Sequence, residues 1–373
     1  MHIQKIKIEN FRNYHEEEVI FHEKVNVIVG DNAQGKTNLL ESIYVSSLGR
    51  SFRTTKEREM IRFEQPFARI MATYVTDDQE KKVEIGFSKE GKKEIKVNNI
   101  KVEKMTEMLN HFYVVVFSPD DLKIVKEEPE KRRNFIDREL CKMRISYLNN
   151  LVQYKKVLMQ RNAYLKSDKK DRQAMQVWDD ALSQYGARVI LQRQTFVEEI
   201  NLISREIHEK ITQGKELLEI RYQPNVKPEG EYGVNPEDNL NNLIQKMQKK
   251  LADSYKSDVY AGNTSVGPHK DDLLILINGI AARQYGSQGQ QRTAALSMKL
   301  AEIHLIEKEK GEKPILLLDD VLSELDGDRQ KYLIQALSES QLFITAAELN
   351  PQLEEALPAG NSYLVTGGKI NRK

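Results

Sequence analysis

The apolar positions of this 373-residue chain change their period twice. In the first 120 or so residues they fall in short runs. Ile3, Ile6 and Ile8 predict an opening strand, and residues 18–21 predict a second that pairs with it. Val25, Val27, Ile28 and Val29 form a β-branched run, the pattern of a buried strand. Residues 69–76, 82–87 and 94–97 read as further strands, linked by charged or glycine-bearing turns such as Glu90-Gly91-Lys92. Residues 112–117 predict another buried strand. From 121 to 255 the period becomes helical almost without a break. Phe196, Ile200, Ile203, Ile207 and Ile211 follow a 4-3-4-4 spacing, which predicts an amphipathic helix packing its stripe within this segment. The lone Trp178 is expected in the core or at a subdomain interface. Gly214 and Tyr222-Gln223-Pro224 interrupt the pattern. Beyond 255, strands (273–277, 315–318, 342–345) alternate with helices again, one of them starting after Ser287.

Into this framework falls Gly30-Asp31-Asn32-Ala33-Gln34-Gly35-Lys36-Thr37, a complete G-x-x-x-x-G-K-[ST] loop between the buried strand and a helix whose Leu40, Ile43 and Tyr44 share one side. Backbone N–H groups and the positive end of the helix dipole cradle phosphates in such a loop. Lys36 is expected to reach the β- and γ-phosphates of ATP, and Thr37 to bind Mg²⁺. More than 270 residues downstream, Ile315-Leu316-Leu317-Leu318-Asp319-Asp320 reads as an apolar strand ending in a carboxylate. Asp319 is placed to hold Mg²⁺ through its water shell. Just before it, Ser287-Gln288-Gly289-Gln290 opens an apolar helix, where a serine and backbone amides form an anion site. The loop and Asp319 must meet in space. Residues 1–120 and 256–373 are therefore expected to form one α/β head, with 121–255 a helical domain inserted into it.

Charge narrows the partners. Charged residues make up 30% of the chain, yet the formal net charge is +1, so any nucleic-acid surface is a local patch. Residues 121–172 carry 15 Lys or Arg against 8 Asp or Glu, and a second cluster runs through Arg50, Arg53, Lys56, Arg58 and Arg62. Arg50, Arg53, Lys56, Arg58, Arg132 and Arg133 are the candidate contacts to nucleic-acid backbone phosphates, without base reading. The single cysteine, Cys141, excludes an intramolecular disulfide framework and multi-cysteine zinc sites. No apolar stretch approaches the ~20 residues that span a bilayer, and Met1-His2-Ile3-Gln4-Lys5-Ile6 lacks the apolar core of a signal peptide. A cytoplasmic protein without membrane partners is expected.

A nucleotide site split between the two ends of a chain, with an S-x-G-Q element before its second half, resembles an ABC-type ATPase head (a mixed sheet with a P-loop). That resemblance implies that Ser287 completes the site of a second molecule. It also gives Asp320 the place of the glutamate that orients the attacking water. Aspartate is one methylene shorter, so slow hydrolysis is expected. Ser323-Glu324-Leu325-Asp326 follows at the spacing of the loop along the dimer seam. Thr345 stands where transporter ATPases carry a switch histidine. Further motifs are Ile8-Glu9-Asn10-Phe11-Arg12-Asn13-Tyr14, Phe117-Ser118-Pro119-Asp120-Asp121-Leu122, Arg132-Arg133-Asn134-Phe135-Ile136-Asp137 and Gly267-Pro268-His269-Lys270-Asp271-Asp272-Leu273, with 286–292 and 316–326, of which 267–273 and 287–292 are the specific ones. In this order, end to end, they resemble the RecF family of bacterial recombination mediators, related to SMC heads. The resemblance implies an ATP-dependent homodimer that binds double-stranded DNA and single-strand/double-strand junctions at gaps. It implies a weak DNA-stimulated ATPase that helps RecO and RecR load RecA. Arg12 is expected near the nucleotide by the same analogy. His269 has no second His or Cys nearby, which favours a structural or nucleotide-proximal role over a metal ligand. Two other readings stay open: a nucleotide-gated DNA clamp without meaningful hydrolysis, and a transporter ATPase subunit, against which Thr345 and the long helical insertion both stand.

Overall fold

A computed structural model describes every residue except 104, 109–110, 168–170, 229–235, 349–353 and 355–356. The chain divides into two compact units, Met1–Asp121 with Ile303–Lys373, and Leu122–Glu302. In chain order the first unit opens with β1 (His2–Glu9), β2 (Glu16–Ile20), β3 (Val25–Val29) and α1 (Lys36–Leu48). It continues through β4 (Phe67–Thr76), β5 (Gln79–Ser88), β6 (Lys93–Val97), β7 (Ile100–Lys101), a short α2 (Met105–Met108) and β8 (Val114–Phe117). The second unit holds α3 (Pro129–Met143), α4 (Ile145–Leu165), α5 (Arg172–Thr212), β9 (Leu218–Gln223) and α6 (Pro236–Ala261). It also holds β10 (Asp272–Ile277), β11 (Ile280–Ala281) and α7 (Ala282–Tyr285), and the chain leaves it within α8 (Gln288–Lys310). The first unit then closes with β12 (Ile315–Asp319), α9 (Gly327–Leu337), β13 (Leu342–Ala346), β14 (Gly360–Thr366) and β15 (Lys369–Arg372).

Two six-stranded sheets build the first unit. One, ordered β2-β1-β4-β5-β6-β7, is antiparallel throughout. Its β1 buries Ile3, Ile6 and Ile8 and turns charged residues outward, and β4 alternates in the same way. The other, ordered β15-β14-β3-β13-β12-β8, is parallel except for β15. Every residue of β3, β12 and β8 is buried, and apart from Asn26 in β3 and Asp319 at the end of β12 all are apolar. Ile344 of β13 sits opposite both Val27 of β3 and Leu318 of β12. This register carries the ends of β3 and β12 to the same edge of the sheet, the edge where open α/β sheets bind ligands.

The second unit departs from expectation in one respect. Its helices enclose a three-stranded antiparallel sheet, β11-β10-β9, in which Ile275 pairs with Ile220 and Leu273 with Tyr222. Residues 273–277, expected in the head, pair instead within the inserted unit, and the head resumes at Ile303 rather than at 256. The strand β9 occupies the place that reads only as an interruption of the helical pattern. The stripe on α5 is a packing face, as its spacing predicts: Phe196, Ile200 and Ile207 are buried, Ile203 and Ile211 half-buried. Trp178 stacks on Tyr164 with ring centroids 4.6 Å apart.

Candidate nucleotide site

Gly30 leaves β3 with φ 151°, and a Cβ there would lie 2.3 Å from the Val365 carbonyl oxygen, so the position admits only glycine. The loop is held from two sides. From the β1–β2 turn, Asn13 Nδ2 donates to Gln34 O at 2.7 Å, and the Tyr14 hydroxyl donates to Gly35 O at 3.0 Å. From the β14–β15 turn, Gly367 N donates to Gln34 Oε1 at 2.6 Å, and Gly368 N donates to Gln34 O at 3.1 Å. The N-cap of α1 is Gly35, which offers no side chain to the amides of the first turn. Those amides face the loop, the arrangement that binds a phosphate. Lys36 is 4% exposed, and its Nζ donates to Gly30 O at 2.7 Å and Asp31 O at 3.1 Å.

Across the sheet edge, Thr37 Oγ1 donates to Asp319 Oδ1 at 2.8 Å. Thr345, opposite Asp319 in the β12–β13 register, donates to the same oxygen at 3.0 Å and accepts from Asp320 N at 2.9 Å. The residue in the switch-histidine position is thus a fixed hydroxyl that orients the Asp319 carboxylate. Burial pushes the Asp319 carboxyl above its ordinary value, and the hydroxyls of Thr37 and Thr345 oppose the shift. Thr37 and Asp319 are hard oxygen donors and fit Mg²⁺. Among the described residues no group of three His, Cys, Asp or Glu is placed to hold a metal. A magnesium ion here would take its remaining oxygens from nucleotide phosphates and water, and would neutralise charge on the phosphates. Asp320 follows with φ 51°, and its carbonyl oxygen accepts from Ser323 Oγ at 2.7 Å.

Beside the loop, a cleft of about 750 Å³ is lined by Arg12, Asn13, Asn38, Arg53, Arg58 and Phe63 among others. Two of its arginines, Arg12 and Arg53, are tied to Glu41 of α1, which is wholly buried. Arg12 grips Glu41 with Nε and Nη2 at 2.8 and 2.6 Å, Arg53 Nη1 lies 3.3 Å away, and Ser51 donates to the same carboxylate. Asn38 accepts from Arg53 Nη1 at 2.7 Å and donates to Asn13 at 2.8 Å. Arg50, Arg53, Lys56 and Arg58 are exposed. Arg132 is not: its side chain is 3% exposed and chelated by Asp272 at 2.7 and 2.9 Å, with Nη1 donating to Glu127 O. It is a structural ion pair and not a phosphate contact. Arg133 is half-buried and donates to Asp271 O at 2.8 Å. Counting charges over 121–172 overstates the basic surface, because Arg161 is also wholly buried, paired with Asp179 and Asp258.

In the second unit, Ser287, Gln288 and Gly289 are exposed at the start of α8. Gln290 N donates to Ser287 Oγ at 3.2 Å, and Ser287 N donates to Gln290 Oε1 at 2.9 Å, a reciprocal capping box. The Gly267–Leu273 motif is internal scaffolding. Asp271 accepts from Arg193, Tyr222 and Asn225 N, while Arg193 also binds Asp137 at 2.7 Å. His269 lies 2.6 Å from the Tyr154 hydroxyl and 2.8 Å from Thr264 O; burial pushes its pKa down to about 4.

A family profile described as RecF/RecN/SMC N terminal domain matches residues 2–364. Relatives called DNA replication and repair protein RecF occur in Alkaliphilus oremlandii and Clostridium acetobutylicum. They are 42% and 44% identical to this chain over 372 residues, covering 100% and 99% of it and the same shares of their own lengths. The structure of the recombination mediator protein RecF-ATPrS in the RecFOR pathway superposes with a TM-score of 0.91 at 38% identity, covering 100% of this chain and 98% of that one. RecF-ATP gives 0.90 at 38% identity, covering 100% and 97%. An Smc head bound to the C-winged helix domain of ScpA, at 16% identity and TM-score 0.55, shares the fold alone. The architecture is that of an ABC-type ATPase head with an inserted domain.

Proposed function

The chain belongs to the RecF family, and on that premise we propose that it is an ATP-dependent DNA-binding protein of recombinational repair. ATP and Mg²⁺ bind at Lys36, Thr37 and Asp319, and two copies close on the nucleotides. The dimer binds duplex DNA and the single-strand/double-strand junctions at gaps, and with RecO and RecR it helps load RecA. The observation that carries this reading is the Thr37–Asp319 hydrogen bond of 2.8 Å, which joins residues 282 apart in sequence beside a loop whose lysine is already buried. Sedimentation of the purified protein with and without ATP and a gapped duplex tests it. A dimer only with ATP, co-sedimenting with DNA, is expected; a monomer under all conditions would sink the reading.

Hydrolysis is slow in this reading, because the shorter Asp320 carboxylate orients water poorly. Asp320→Asn keeps ATP binding, slows turnover further and accumulates the ATP-bound dimer. If that variant hydrolyses ATP at the wild-type rate, water is positioned by another group. If the wild type shows no turnover with DNA, the protein is a nucleotide-gated clamp.

DNA binding rests on phosphate neutralisation by Arg50, Arg53, Lys56 and Arg58, all exposed in the first unit. Log affinity for duplex therefore falls with log salt at about −0.9 per phosphate neutralised, whatever the sequence. Reversing charge at Arg50 and Arg58 together flattens that slope, whereas Arg132→Gln leaves it unchanged in folded protein. An unaltered slope in the double variant would move the DNA surface elsewhere.

A further inference from the structure

A chain of hydrogen bonds runs from the exposed start of α8 into the buried interior of the second unit. The capping box occupies Gln290 Oε1 with the Ser287 amide, so the Gln290 amide nitrogen turns inward and donates to Glu216 Oε1 at 3.0 Å. The other Glu216 oxygen lies 3.1 Å from His208 Nε2, and His208 Nδ1 lies 3.2 Å from Ser297 Oγ. Ser297 donates to Thr293 O, one turn back along α8. The path leaves α8 at Gln290 and rejoins it at Ser297, bracing the first two turns from behind. His208 and Ser297 are wholly buried, and the Glu216 side chain is 21% exposed.

Local backbone chemistry puts Glu216 there. The helix α5 ends with Gln213 at φ 53° and Gly214 at φ 75°, and Gly214 N closes on Glu209 O at 2.8 Å. This left-handed turn reverses the chain, and Leu217 N is caught by Asn278 Oδ1 at 2.7 Å. The capping box alone does not account for glutamine at position 290, because glutamate serves that position equally well. The Glu216 contact requires a neutral amide, since a second carboxylate facing Glu216 would repel it.

We propose that Glu216 and His208 are positioning residues for the composite nucleotide site. They fix the rotamer of Gln290, Gln290 fixes Ser287, and Ser287 is thereby held ready for the ATP of a second copy. This rests on the proposed action of Ser287 across the dimer. Neither residue touches nucleotide in this arrangement, so their loss spares ATP binding by the monomer and affects the step that needs two copies.

The test uses the full-length protein with ATP, Mg²⁺ and duplex DNA. Glu216→Ala is expected to bind ATP as a monomer with wild-type affinity while kcat falls about tenfold or more, the scale of a lost hydrogen bond to a charged group. Glu216→Gln restores turnover, because its amide oxygen still accepts from Gln290 and its amide nitrogen donates to His208 Nε2 in the tautomer protonated at Nδ1. A kcat for folded Glu216→Ala equal to wild type overturns the proposal, as does a loss in Glu216→Gln as large as in the alanine variant. Should Glu216→Ala not fold, His208→Leu, which leaves Glu216 in place without its anchor, carries the same expectation. Recovery of activity on mixing Ser287→Arg with Lys36→Ala reports on the composite site itself. Recovery there with full turnover in Glu216→Ala removes the positioning role alone; no recovery removes the trans role of Ser287.

Discussion

Lys36→Ala lowers ATP affinity by two orders of magnitude or more while the fold survives. Lys36 is 4% exposed, and its ammonium rests on the carbonyls of Gly30 and Asp31, already within the loop that cradles the phosphates. When nucleotide binds, this charge turns from two neutral carbonyls to the β- and γ-phosphates, where its hydrogen bonds become charge-assisted at both ends. Removing one partner of such a buried pair costs about 3–5 kcal/mol, because the phosphate charge is then left uncompensated. The two carbonyls lose a donor in the nucleotide-free protein, at about 1–3 kcal/mol, which circular dichroism and a melting curve would register. Titration with a fluorescent ATP analogue reads the affinity. Wild-type binding by the folded variant would show that Gly30–Thr37 is not the nucleotide site.

The site was legible in the sequence to the extent that its chemistry is local. Eight contiguous residues state the loop, and an apolar strand ending in Asp319 states its partner. That the two meet follows from the order β3-β13-β12, in which three buried strands from opposite ends of the chain lie side by side. The clasp around Gln34 was not legible. Gly367 and Gly368 act through backbone amides more than 330 residues away, and an amide donor leaves no mark on composition. The strand β9 has two fully buried positions, Leu218 and Ile220, too few for a strand period to stand out between two long helices. Arg132 was misread because a count of charges carries no information on burial. Its partner Asp272 lies 140 residues downstream. A signal was present: Arg132 stands in one motif and Asp272 in another, opposite charges that point to a structural ion pair.

The largest mechanistic effect is expected where two inactive proteins are combined. Ser287 is exposed at the N-cap of α8, with its hydroxyl accepting from Gln290 N. In the proposed dimer this helix start docks on the γ-phosphate held by the Gly30–Thr37 loop of the other copy. Ser287→Arg removes a cap, at about 1 kcal/mol of stability, and sets a long cation where that phosphate must approach. The variant binds ATP as a monomer at near-normal affinity, but it fails to dimerise and hydrolyses ATP poorly. Lys36→Ala is inactive for the opposite reason, having an intact signature and a disabled loop. In a heterodimer of the two, both lesions fall in one composite site, and the other site joins an intact loop to an intact signature. ATPase activity therefore partly returns on mixing, rising with the ratio of the scarcer variant until the heterodimer is saturated. Lesions confined to sites within single copies give no such recovery, because every copy in the mixture still carries a broken one. Absence of recovery, with both proteins folded and Ser287→Arg shown to bind ATP, would place Ser287 outside the partner's nucleotide site.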